Sequence, residues 1–125
     1  LAAAGLTEVA AEDGDFTTDG GMRAMERIVY RGVEFDGLFV ASDLMAQGAV
    51  EVLRRTGRRV PDDVAVVGFD DSPIAVAVQP SLTTMRQPSL QQGEQMAGVL
   101  LDLLAGRKPP HATILGTELV VRDST

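Results

Sequence analysis

Three strand-like runs, residues 7–11, 37–41 and 64–69, each stop on an acidic or hydroxyl cluster. Glu12 and Asp13 follow the first, Ser42 and Asp43 the second, and Asp70 and Asp71 the third. The runs at 37–41 and 64–69 are almost continuously apolar, the pattern of strands covered on both faces. Helical periodicity fills the intervals between them. An order β-α-β-α-β implies a parallel sheet with right-handed crossovers. In such a sheet ligands sit outside the carboxyl ends of the strands, so one crevice is expected to collect all three clusters.

The intervening helices differ in character. Met22, Met25, Ile28 and Val29 recur at helical spacing after a cap at Thr17 or Thr18, and Gly32 can end the helix. That is a one-sided helix lying on a sheet. Along 43–57, capped by Ser42 or Asp43, only Gln47, Glu51, Arg54 and Arg58 form a polar stripe. A helix apolar over most of its circumference has to be covered on two sides. With few elements in a short chain, the second cover is expected to come from another subunit, with Met45, Ala49 and Val52 as the dimer contact.

Beyond Asp71 the pattern changes. Residues 72–80 have no clean period and contain two prolines, and residues 82–87 alternate like an exposed or crossing strand. Pro88 opens a helix over 88–106 whose Leu90, Met96, Ala97, Leu100, Leu101 and Leu104 share one face. Residues 115–122 form a final strand. At the start, residues 1–5 read as the last turn of a helix closed by Gly5, which suggests a truncated chain.

Charge and composition remove several function classes. Eleven Lys and Arg against eighteen Asp and Glu leave a net charge of −7. This opposes the counterion release that drives binding to nucleic-acid backbones, so the segment is not expected to hold DNA by itself. No cysteine and a single histidine argue against a thiolate or imidazole metal site, and neither a membrane span nor a signal peptide is visible. No cofactor is expected, and the composition fits a cytoplasmic protein.

The motifs at 40–49 (Val-Ala-Ser-Asp-Leu-Met-Ala-Gln-Gly-Ala), 59–71 (Arg-Val-Pro-Asp-Asp-Val-Ala-Val-Val-Gly-Phe-Asp-Asp) and 80–88 (Pro-Ser-Leu-Thr-Thr-Met-Arg-Gln-Pro) closely resemble the effector-binding core of LacI/GalR-family transcriptional regulators. The closing run 117–125 is similar to that family's C-terminal end. The resemblance implies the C-terminal portion of a type I periplasmic-binding-protein-like fold. Residues 1–87 would be part of the C-terminal subdomain, 88–110 a helix that in relatives packs on the N-terminal subdomain, and 111–125 a final strand and tail. It also implies a homodimer that binds a sugar or sugar derivative and meets operator DNA only through a missing N-terminal helix-turn-helix.

By the same resemblance Phe16 packs on the ligand, Asp70 binds its hydroxyls, and Ser42 stands where relatives often carry asparagine. Gln87 lies at the crossing between subdomains. The chemistry agrees with a polyol, because carboxylates accept from vicinal hydroxyls and an aromatic ring covers a sugar's C–H face. More ordinary roles stand beside these: Asp43 as a helix cap, Asp71 as a brace of its turn, Phe16 as a core aromatic. Two other functions remain open. An extracytoplasmic sugar-binding protein of the same fold would differ in its N-terminus, and a phosphoryl-transfer enzyme would hold Mg²⁺ on Asp43, Asp70 and Asp71.

Overall fold

The computed structural model describes residues 2–125. A 3-10 turn at Ala2–Ala4 precedes α1 (Thr18–Tyr30), β1 (Gly37–Phe39), α2 (Asp43–Arg55), β2 (Ala65–Asp70), α3 (Ile74–Ala77), β3 (Thr83–Arg86), α4 (Ser89–Leu104) and β4 (Glu118–Val120). The sheet runs β1-β2-β3-β4. β1 and β3 both lie parallel to β2, whereas β4 returns antiparallel to β3. The fold is therefore α/β with a mostly parallel sheet, as the alternation predicts.

Local chemistry sets the helix ends. Thr17 caps α1 by accepting from the Gly20 N–H, and Gly32, at φ 66°, closes it with an N–H donated to the Val29 carbonyl. Ser42 caps α2, and Gly57, at φ 80°, ends it. The turn into β2 is braced by Asp63, whose carboxylate accepts from the Arg59 backbone N–H and side chain. These bonds hold its pKa at about 2.

The expected strand at 7–11 does not form. Residues 6–11 make no backbone–backbone hydrogen bond among the described residues. A cavity of about 730 Å³ lies between this segment, the β1 edge and the Met25–Ile28 side of α1. A strand needs ladder bonds to a neighbour about 4.8 Å away, and residues 6–11 and β1 line the cavity without making them. Conversely, α3 arises within the segment that has no readable period, where Ala75 is fully buried and the Leu82 N–H donates to its carbonyl.

The core lies between the sheet and α1 and α2. Met25 and Ile28 of α1, Ala46, Val50 and Leu53 of α2, and Val64, Val66 and Leu82 belong to one buried cluster. Met45, Ala49 and Val52 belong to it too. Val52 is 2% exposed and Ala49 3%, so their assignment to a dimer contact is corrected: they are covered within the chain. The reason is the close approach of α1. A Cβ on Gly21 would overlap the Met45 carbonyl oxygen, and one on Gly48 would overlap that of Thr18. Two glycines thus let α1 lie directly on α2, supplying the second cover that the sequence pattern demands.

The carboxyl-terminal tail fastens to the same sheet. Ser124, fully buried, accepts from the Thr83 N–H at 2.8 Å and donates to the Val66 carbonyl at 2.6 Å. The Val66 N–H donates to the Ser124 carbonyl in turn. Helix α4 behaves differently: none of its residues is buried, and Leu90, Met96, Leu100, Leu101 and Leu104 are all exposed.

Candidate functional site

The tips of β1 and β2 meet at the first turn of α2. Ser42 leaves β1 with extended backbone, and its hydroxyl accepts from the Met45 N–H at 3.3 Å. Among the described residues its own proton has no acceptor. Asp43 follows, 0% exposed, and is not the cap of the helix. One carboxylate oxygen accepts from the Thr84 hydroxyl on β3 and the other from the Ser72 N–H beyond β2, both at 2.7 Å. A buried carboxylate at a helix N-terminus is stabilised by such donors and by the helix dipole. Gly68 makes room for it, because a side chain there would strike Asp43 Oδ1 and Leu82.

The loop leaving β2 is strained. Asp70 and Asp71 both have positive φ, 114° and 57°, a region non-glycine residues adopt at a cost. Gln87 Nε2 donates to Asp70 Oδ1 at 2.6 Å, and Asp70 Oδ2 has no partner among the described residues. The Asp71 carboxylate accepts from Arg86 Nε and Arg122 Nη2, each at 2.6 Å. Burial acts to raise the Asp71 pKa, but the two guanidiniums outweigh it and the net direction is down. Asp71 is thus a brace. Ser72 Oγ, beside it, is buried without a partner among the described residues.

Phe16 stands at φ 59° and is 65% exposed, so it is not a core aromatic. Its loop is held from below. Asp15 accepts from the Thr17 N–H and from Arg23, while Glu12 pairs with Arg27 and Arg31. The hydrogen bond from Thr17 to Asp15, and that from Arg27 to Glu12, lower those two carboxyl pKa values despite the opposing desolvation. Glu12 is therefore bound to α1 and does not join the other two clusters in one crevice. Gly14 lies against the Met45 side chain, which brings the Phe16 loop beside the first turn of α2.

Of the four candidate ligand residues, Asp70 and Gln87 are bonded directly. Ser42 joins them through Asp43 and Ser72, and Phe16 reaches the same turn through Gly14 and Met45. None of the four lines the 730 Å³ cavity, which lies on the β1 edge. Asp43, Asp70 and Asp71 each face a different partner and do not form a shared donor set; among the described residues no group of three His, Cys, Asp or Glu is placed to hold a metal ion. Nor is any described helix long and apolar enough to cross a membrane. The Arg86–Asp71–Arg122 bracket has no local signal in the sequence, because its members are 15 and 51 residues apart.

A mostly parallel sheet with polar groups at its strand tips, one of them a strained aspartate with a free oxygen, is the kind of edge at which α/β folds take small molecules. Comparison with known proteins agrees. The profile of the periplasmic binding protein-like domain matches residues 1–125. The HTH-type transcriptional regulator CelR of Thermobifida fusca is 45% identical over 127 residues, covering 99% of this chain and 37% of that protein. MalR of Streptomyces coelicolor is 40% identical over 111 residues, covering 88% and 32%.

Two solved structures superpose closely. A CelR–cellobiose complex gives a TM-score of 0.93 at 43% identity, covering 99% of this chain and 39% of that one. The Lac repressor bound to ONPG gives 0.92 at 29% identity, covering 99% and 38%. The chain belongs to the periplasmic binding protein-like family, in the form found as the effector-binding portion of LacI/GalR-type transcriptional regulators. It spans about a third of the length of the curated relatives it matches.

Proposed function

We propose that this chain senses a sugar-like small molecule for a LacI-type regulator whose operator-binding helix-turn-helix lies outside these 125 residues. The observation that supports it best is Asp70: a carboxylate at a strand tip with one oxygen held by Gln87 and the other unpartnered. That free oxygen suits a vicinal hydroxyl, Phe16 a sugar's C–H face, and the Ser42 hydroxyl proton an ether or hydroxyl oxygen. Because one similar structure is a cellobiose complex, cellobiose is the first ligand to test.

Strand tips and Phe16 form one wall of the crevice, and the facing wall comes from the remainder of the regulator. Residues 1–87 and 111–125 belong to one subdomain, and the helix at 88–110 packs its leucine face on the other. Effector binding changes the angle between them and, by differential affinity for two states, the fit of paired headpieces to an operator. The working unit is a cytoplasmic homodimer whose contact uses surfaces other than Met45, Ala49 and Val52. The relatives are transcription regulators, and we assign this chain no catalytic role, cofactor or metal.

Calorimetry on the intact regulator tests the site. Asp70→Ala should weaken cellobiose binding about 10- to 100-fold, the loss of hydrogen bonds to a charged group, without unfolding the protein. Unchanged affinity would show that Asp70 is not a ligand group. An extracytoplasmic binding protein of the same fold predicts a monomer and no operator shift, which sedimentation and gel retardation would reveal.

A further inference from the structure

Asp70 has a backbone conformation that its own side chain does not favour, so something else holds it there. The neighbouring residues are fixed from two directions. On one side the Ser72 N–H is tied to Asp43, which is itself tied to Thr84. On the other, Asp71 is gripped by two guanidiniums. The two grips are not equivalent. Arg86 is half-exposed and shares its charge with Glu118 at 3.2 Å. Arg122 is largely buried and forks: Nη1 donates to the Leu82 carbonyl at 2.8 Å while Nη2 donates to Asp71.

Arg122 is also anchored through its main chain. Its N–H donates to the Thr83 hydroxyl at 2.8 Å, and two residues later Ser124 is locked between Thr83 and Val66. The guanidinium therefore starts from a fixed position on the sheet and reaches the loop that carries Asp70. Leu82, its second acceptor, opens the segment leading to Gln87, the direct partner of Asp70. One planar side chain thus fixes both the aspartate's loop and the start of the strand that delivers its glutamine.

The geometry points to Arg122 as the positioning residue of the effector site: by bridging Asp71 and the Leu82 carbonyl it holds the Asp70 carboxylate and Gln87 in register for one ligand hydroxyl. This inference rests on the proposed role of Asp70 and adds to it a residue at the far end of the sequence. An arginine suits this position, since a lysine ammonium lacks the planar fork that serves two acceptors at once.

The test is a double-mutant cycle on the intact regulator, with cellobiose affinity read by calorimetry and the ligand-free melting temperature read alongside. Arg122→Lys should weaken binding about tenfold, one charge-assisted hydrogen bond's worth of positioning. In an Asp70→Ala background the same change should leave affinity unaltered while still shifting the melting temperature as it does alone. Asp71→Asn, which keeps the shape of the side chain, should reproduce the pattern if Arg122→Lys fails to fold. An equal affinity loss in both backgrounds, or none in either, would overturn the positioning role. Asp70→Ala without effect on affinity would instead sink the site assignment beneath it.

Discussion

Helices α2 and α4 are both rich in apolar residues and meet opposite fates. Eight residues of α2 are buried, covered by α1 on one side and the sheet on the other. None of α4 is buried. A broad apolar arc dictates that a helix be covered, but it does not name the cover. For α2 the cover comes from within the chain because Gly21 and Gly48 remove the atoms that would hold α1 away. Among the described residues nothing buries α4, and its leucines are exposed.

The contrast breaks most sharply at Gly48. Gly48→Val places side-chain atoms against the Thr18 carbonyl and the Met22 N–H, and should destabilise the fold by about 4 kcal/mol or more, measured by urea unfolding. Next in size, Leu53→Ala empties a fully buried position of α2 and should cost about 3 kcal/mol in the same assay. Leu101→Ala on α4 should change the stability of this chain by less than about 0.5 kcal/mol. In the intact regulator the same change should cost about 2 kcal/mol, the value for a covered leucine. Equal small effects in both would mean that α4 stays uncovered.

The smallest effect concerns acid. Asp71 is depressed below the ordinary aspartate value of 3.8, so its contribution is fully present above that pH and is lost as pH falls below 3.8 through the folded-state value. The stability difference between the parent and Asp71→Asn should therefore be constant from pH 7 to 5 and narrow progressively below 3.8. A difference that stayed constant into acid would show that Asp71 is not held ionised by its arginines.

Local signals carried the elements that depend on neighbours in sequence. The cap and glycine stop of α1, the run that becomes β2, the crossing strand β3 and the proline-opened α4 all form where pattern and turn chemistry place them. What depends on distant partners was hidden. Residues 7–11 read as a strand, yet they make no ladder bonds with β1. Asp43 read as a cap, since only tertiary structure brings Thr84 and Ser72 to its carboxylate. Motif resemblance singles out Asp70, Gln87, Ser42 and Phe16 as candidates, whereas it is silent on Arg122, because nothing near it in sequence shows that its fork closes on Asp71.

The left-handed backbone at Asp70 has an evolutionary consequence. Glycine would relax that position by about 1 kcal/mol, so a chain selected for robustness alone would drift toward Asp70→Gly. Screening variants for heat tolerance should accordingly enrich a change that, on the proposed role of Asp70, screening for effector affinity would purge.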